Sequence, residues 1–417
     1  MTLERARFEG LDRADPLARF RDRFLLPHGV IYLDGNSLGA LPRSTAKRLA
    51  AVVEQEWGGD LITSWNKHGW IATPHRIGDK IARLVGADAG EIVVAESTSI
   101  NLFKVLSVAL GARPERKVIV SEARNFPTDL YMAEGLAALL DRGHELRLVE
   151  RADVMAALDE DVAALYLTHV DFRTGEILDM AGLTAAAHDI GALAIWDLCH
   201  SVGAVPVALN DAGADFAVGC GYKYLNGGPG APAFVYAARR HQVSSEGEGA
   251  VQPLWGWLGH AAPFEFTPHY RPAPGIRQYV CSSPSILAMA ALEEGVDLFL
   301  EADMSAVRAK SVLQTESFIA LVEERCAGYG LTLASPRDAG ERGSQVSFAH
   351  RDGYAVMQAL IARGVIGDFR APDLLRFGFT PLYVRHVDVW DAVECLRDVL
   401  ATEQWKRPEF ATRAEVT

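Results

Sequence analysis

Long hydrophobic runs are missing from this chain: no segment of its 417 residues reaches the ~18 uncharged apolar positions that a membrane-spanning helix needs. Its start, M-T-L-E-R-A-R-F-E-G-L, mixes charges and lacks the apolar stretch of a secretion signal, so a cytoplasmic location is expected. Cysteine is scarce. The five present (Cys199, Cys220, Cys281, Cys326 and Cys395) are odd in number, scattered and without a C-x-x-C pair, which argues against both a disulfide framework and a zinc site. Reduced thiols fit the same compartment. Positive charge is in deficit, with 41 Lys+Arg against 54 Asp+Glu and a net charge of −13. No Lys/Arg-rich run offsets it, so nucleic acid and membrane surfaces are unfavourable partners. Internal repeats are absent.

What is present reads as a soluble enzyme of two domains, 49% apolar and 23% charged. The apolar spacing over Ser44 to Trp57 predicts a helix near the N-terminus. From Glu91 the pattern becomes strand alternating with helix: E-I-V-V-A-E, Ser97 to Leu110, K-V-I-V-S, Asp129 to Arg142, E-L-R-L-V and A-A-L-Y-L-T. That alternation predicts a mostly parallel sheet covered by helices, with ligands at the carboxyl ends of its strands. Ala231 to Ala238 is expected to be the last strand of this domain, and the polar His241 to Ala250 a surface loop. A long helix from Met304 then leads into a smaller αβ unit with strands near Leu331 to Ala334 and Gln345 to His350. The final residues, Ala411 to Thr417, are expected to fray.

The stretch from Trp196 to Gly230 concentrates the chemistry. Leu193 to Trp196 reads as a buried strand stopping at Asp197, and Phe216 to Gly221 as another stopping just before Lys223. A lysine flanked by Tyr222 and Tyr224 at the mouth of a sheet, with a strand-end carboxylate, is what pyridoxal phosphate chemistry needs: an amine to hold the cofactor's aldehyde and a carboxylate to face its ring nitrogen. Taken singly, Asp197 could be a helix cap and Lys223 a loop lysine. Ser97-Thr98-Ser99 follows a strand and opens a helix, so its N–H groups and hydroxyls could hold a phosphate, or merely cap the helix. In I-T-S-W-N-K-H-G-W, the aromatics Trp65 and Trp70 suit interface packing or substrate contact equally.

D-x-x-H-x-x-G at Asp197 to Gly203 and G-Y-K-Y-L-N at Gly221 to Asn226 resemble the kynureninase family, fold-type-I pyridoxal phosphate enzymes related to class V aminotransferases. The likeness extends over nearly the whole chain, through Y-L-D-G-N-S-L-G (Tyr32 to Gly39), F-P-T-D (Phe126 to Asp129), G-W-L-G-H (Gly256 to His260) and L-R-F-G-F-T-P-L-Y (Leu375 to Tyr383).

The resemblance implies an α/β fold of the fold-type-I PLP-dependent transferase kind: a large domain with a mostly parallel, seven-stranded-type sheet, and a smaller C-terminal α+β domain. The expected division is an N-terminal arm over 1–70 that contributes to the small domain and the active-site rim, a cofactor domain over 71–302 and a small domain over 303–417. It also implies hydrolysis of L-kynurenine to anthranilate and L-alanine in tryptophan catabolism and NAD biosynthesis, by a homodimer with active sites at the subunit interface. Whether 3-hydroxykynurenine is also a substrate stays open. Lys223 would hold the cofactor and act as general base, Asp197 would sustain the ring, and Tyr222 would contact the phosphate and donate a proton. Thr98, Ser99, Phe126, Asp129, Thr168, His200, Trp257 and Ser283 would complete the cofactor site, the last two across the dimer interface. Arg376, Trp65 and Asn36 would meet the substrate, Arg376 at its α-carboxylate. The rival readings are a cysteine desulfurase or aminotransferase of class V, which would share Asp197, His200 and Lys223, and a catalytically silent binding protein, which would be expected to lack the lysine.

Overall fold

The computed structural model describes residues 4–413, so the end of the tail expected to fray, 414–417, lies outside the described residues. Seven strands form the large sheet: β1 Ile92–Val94, β2 Val118–Glu122, β3 Glu145–Val149, β4 Val162–Thr168, β5 Leu193–Asp197, β6 Phe216–Cys220 and β7 Ala233–Ala237. Their order is β1-β7-β6-β5-β4-β2-β3. Only β7 runs against its neighbours, so the other six strands point the same way and end at one edge. The composition of these strands follows from their position. Six are apolar runs buried along their whole length, as strands covered on both faces must be, whereas β3 is only partly buried at the sheet's edge. The mostly parallel seven-stranded expectation holds.

Register fixes the neighbours at the carboxyl edge. Thr168 on β4 pairs with Asp197 on β5, and Asp197 with Val218 on β6, which places both polar groups side by side where the strands stop. The helix Thr98–Ala112 starts at the same edge, with Ser97 as a cap that accepts the Ile100 N–H.

The smaller unit is a four-stranded antiparallel sheet of β8 Thr332–Leu333, β9 Gln345–Ala349, β10 Asp368–Arg370 and β11 Leu374–Gly378, in the order β8-β9-β11-β10. Helices Met304–Arg325 and His386–Ala401 pack together beside it. The N-terminal arm attaches here. Asp12 accepts the backbone N–H groups of His386 and Val387 and so caps a helix 374 residues away, Lys310 bonds Asp15 at 2.7 Å, and Ile31–Tyr32 pairs with Val365–Ile366. We propose the division 1–70, 71–302 and 303–417 on these contacts.

The helix expected over Ser44 to Trp57 differs in form. It is α-helical over Arg43–Ala51 and continues as a π-helix over Val52–Asp60. The widened turns seat the buried Glu56 carboxylate against Arg48 and within 2.6 Å of Trp70 Nε1, pairings that hold it below the ordinary carboxylate range against the opposing effect of burial.

A second buried carboxylate, Asp215, sits at the opposite edge of the sheet, just before β6. Its oxygens lie 2.8 Å from His188 Nε2, 2.6 Å from His241 Nε2 and 2.7 Å from Arg240 Nη2, and it accepts the Ala194 N–H. Burial would raise this carboxyl, but these partners outweigh it and hold it well below its ordinary value. Its stabilising contribution is therefore complete above pH ~4 and is lost as pH falls further through the depressed value. Asp215→Asn should cost about 2 kcal/mol in a thermal or denaturant melt, a modest figure because Arg240 and His188 are half in water. A melt unchanged between the two proteins at pH 7 would remove this role.

Candidate active site

A cavity of about 250 Å³ opens at the carboxyl edge and collects Thr98, Ser99, Phe126, Asp129, Thr168, Asp197, His200, Tyr222 and Lys223. Nine of the expected residues, from five separate segments of sequence, thus meet in one place. Ser97, Thr128, Phe172 and Cys199 complete the lining.

Lys223 Nζ lies 5.9 Å from the Phe126 ring centroid and 5.6 Å from that of Tyr222. Burial opposes its charge, but the Cys220, Cys199 and Tyr222 side chains and the Asp197 carboxylate favour it, and the balance lies above the ordinary lysine range. Burial pushes the Tyr222 hydroxyl up to about 12, so it keeps its proton at neutral pH. Phe126 meets Phe172 edge-on at 5.2 Å and is 39% exposed. An aromatic side chain left bare inside a cleft leaves an apolar face for a flat ring.

Behind these groups the carboxyls are buried. Asp197 Oδ1 accepts the Cys199 N–H at 2.6 Å. Burial first, and Asp197 second, push Asp129 far above the carboxylate range, which favours its protonated form. Thr168 Oγ1 bonds Asn125 Oδ1 and lies 3.3 Å from Asp129 Oδ2. Burial, then Lys223 and the nearby arginines, push His200 well below its ordinary value, which leaves a neutral imidazole. Asp129 Oδ1 and His200 Nε2 are buried without hydrogen-bond partners. Buried polar atoms without partners are costly and rare. Two of them around one cavity, with an amine, an apolar ring and a helix N-terminus, fit a bound group that is flat, polar at its edge and anionic at one end.

Five expected residues lie outside this lining. Ser283 borders an adjoining cavity of about 500 Å³ that shares Ser97, Thr98 and Tyr222 with the first. Trp257 packs edge-on against Phe264 at 5.8 Å, in a surface groove with Trp255 and Tyr270. Trp65 rests against Trp70 at 5.9 Å. Asn36 is fully buried between the two units, where a Cβ on Gly378 would come within 1.8 Å of its Oδ1. Arg376 is 1% exposed and already has an anionic partner. Its Nε donates to Asp368 Oδ1 at 2.7 Å, its Nη2 to Asp368 Oδ2 and to Ser37 Oγ at 2.8 Å, and its Nη1 to the Phe172 carbonyl. Burial of Arg376 therefore does not by itself require a substrate anion, because strand pairing sets Asp368 directly across from it.

Sequence reasoning missed Phe172 and Asp368, and reached the Tyr32 to Gly39 segment only through the resemblance, as an active-site loop. Phe172, four positions beyond the end of β4, supplies both a ring in the cavity and the carbonyl that meets Arg376. Asp368 left no signal, since the short strand Asp368–Arg370 was not expected from the sequence. Gly39 brings the N-terminal loop against the lysine: its N–H donates to the Tyr222 carbonyl at 2.8 Å, and a Cβ there would lie 2.3 Å from Lys223 O. No larger residue fits.

Among the described residues no helix is long and apolar enough to cross a membrane. The fold and the cavity define a fold-type-I pyridoxal phosphate enzyme. Solved structures share the fold at low identity: an apo cysteine desulfurase from Thermococcus onnurineus NA1 (TM-score 0.74, 16% identity, covering 92% of this chain and 98% of that one) and a C-DES variant with glycine covalently linked to its PLP cofactor (0.71, 18%, 95% and 100%). Sequence is more specific. The family described as the kynureninase C-terminal domain matches residues 307–396. Proteins named kynureninase from Burkholderia pseudomallei (strain 1106a) and Pseudomonas fluorescens are 57% and 53% identical over 412 and 413 residues, in both cases 98% of each chain. The chain belongs to the kynureninase family.

Proposed function

We infer that this protein hydrolyses L-kynurenine to anthranilate and L-alanine with pyridoxal phosphate. The full-length identity to kynureninases carries the reading, and the Lys223 cavity supplies residues suited to it. The class V alternative, a cysteine desulfurase, matches in fold only. Release of anthranilate from L-kynurenine by the purified protein, dependent on added cofactor after its removal, tests the function.

Bound in the cavity, the cofactor would supply an electron-accepting ring that stabilises negative charge at the substrate carbon bearing the amine. Lys223 would hold the cofactor through its aldehyde and, once displaced by the substrate amine, take the Cα proton. Asp197 would keep the ring nitrogen protonated, with the proton on Asp129 preventing two adjacent negative charges. Once water has added to the side-chain γ-carbonyl and the Cβ–Cγ bond breaks to release anthranilate, Tyr222, which retains its proton at neutral pH, would donate it to Cβ, which becomes the methyl carbon of alanine. Thr98 and Ser99 would receive the phosphate at the helix N-terminus, and Phe126 would cover the ring.

Arg376 and Arg370 share one carboxylate, with Arg370 Nη2 lying 2.7 Å from Asp368 Oδ2. The nearby Asp34 is pushed up to about 7, by burial and by Asp368, so at neutral pH it compensates only in part. Cationic charge is therefore in excess behind Phe172, which suits Arg376 to attract the substrate α-carboxylate. Arg376→Lys should keep fold and cofactor while kcat/KM for kynurenine falls about 10- to 100-fold, because lysine cannot reproduce the fork. A lowered melting temperature with kcat/KM intact would assign Arg376 to structure alone.

The assembly is a cytoplasmic homodimer in this reading. Trp255 and Phe264, each 63% exposed, and Phe266, 82% exposed, form an aromatic surface suited to a second copy, which would bring Trp257 and Ser283 towards a shared site.

A further inference from the structure

Lys104, on the helix Thr98–Ala112, is fully buried, yet it takes no part in the chemistry assigned above. A lysine is almost never fully buried unless it is paired. Its Nζ donates to the Tyr279 carbonyl at 2.7 Å and lies 3.5 Å from Glu96 Oε1. The Cys281 thiol, raised by burial and lowered in part by Lys104, borders the same pair. These partners belong to two different segments. Glu96 immediately precedes Ser97 and Thr98, whereas Tyr279 and Cys281 lead into Ser282 and Ser283, and the two segments form facing walls of the 500 Å³ cavity that adjoins Lys223.

The backbone supports the same reading. Glu96 has φ 52°, a left-handed conformation that is costly for a residue with a side chain and persists where its surroundings impose it. That turn directs the chain from the end of β1 into the helix N-terminus and leaves the Glu96 carboxylate facing back towards Lys104. Glu96 is itself exposed, so its ion pair with Lys104 is partly in water and adds little net stability. The value of Lys104 here is geometric, since its two contacts tie Glu96, just before the helix, to Tyr279, 175 residues beyond Lys104 in the chain.

We propose that Lys104, through Glu96 and the Tyr279 carbonyl, is a positioning residue that holds the Ser97–Thr98 turn against the Ser282–Ser283 segment and so sets the affinity for the cofactor's phosphate. The proposal rests on the reading that Thr98 and Ser99 receive that phosphate.

The test compares pyridoxal phosphate with pyridoxal, which lacks the phosphate, by titrating cofactor-free protein and following tryptophan fluorescence. Wild type should prefer pyridoxal phosphate strongly. In Lys104→Met the affinity for pyridoxal phosphate should fall about 10- to 100-fold while that for pyridoxal changes less than about 2-fold, the scale on which outer partners act on a bound group. Glu96→Gln, which keeps the shape of the turn and the bond to Tyr279, should move the same ratio in the same direction by about 3- to 10-fold, and it provides the test should Lys104→Met fail to fold. A preference unchanged in the variants, whether because neither affinity moves or because both weaken together, would overturn the role of Lys104. Equal affinity of wild type for the two ligands would instead overturn the phosphate-site reading itself.

Discussion

Lys223→Ala should yield a folded protein that has lost its colour and its turnover together. Among the described residues that line the cavity, Lys223 supplies the only amine. With pyridoxal phosphate attached to it, the wild-type protein should absorb near roughly 420 nm, and the variant should not. Turnover should fall at least about 10,000-fold, because the group that holds the cofactor and the group that moves the Cα proton are removed in one change. Stability should change little. Lys223 is only half-buried and meets the rings of Phe126 and Tyr222 at 5.6 Å or more, so the melting temperature should stay within about 4 °C. A colourless wild type that takes up no added cofactor would refute the assignment, as would a Lys223→Ala protein retaining a tenth of normal activity or more.

Asp197→Ala should leave the cofactor attached but reduce kcat about 100- to 10,000-fold. A neutral pyridine ring withdraws electrons poorly, and Asp197 is the carboxylate that would face the ring nitrogen. The effect has an upper bound because Asp129 remains. Its proton is held by burial and by the neighbouring Asp197 charge, so removing Asp197 takes away one of those two causes and lets Asp129 supply part of the missing charge. The double variant Asp129→Ala/Asp197→Ala should therefore be more impaired than Asp197→Ala alone. Rates for the single variant near those of wild type, at saturating cofactor, would rule out the role of Asp197.

The expected positions of the large-sheet strands agree with those observed because fully buried strands leave a strong signal: unbroken apolar runs that stop at polar residues. Asp197, Thr168 and the start of the helix at Thr98 were legible for the same reason, since each marks the end of such a run. The helix at Ser44 was legible in place but not in form. Its apolar spacing says nothing of the π-helical turns that the pairing of Glu56 with Arg48 and Trp70 accompanies.

By itself the sequence determined the α/β class, the lysine and carboxylate at the strand ends, and the family. It could not determine contacts that join distant segments. Antiparallel pairing of β10 with β11 decides that Arg376 faces Asp368, and close packing of a glycine decides that the loop ending at Gly39 touches Lys223. The approach of Tyr279 to Lys104 places a buried charge beside the segments that line the cavity. Periodicity records whether a residue is buried, because water imposes that on every position alike. It does not record which residue a buried group meets, because strand register and packing settle that only when the chain closes on itself.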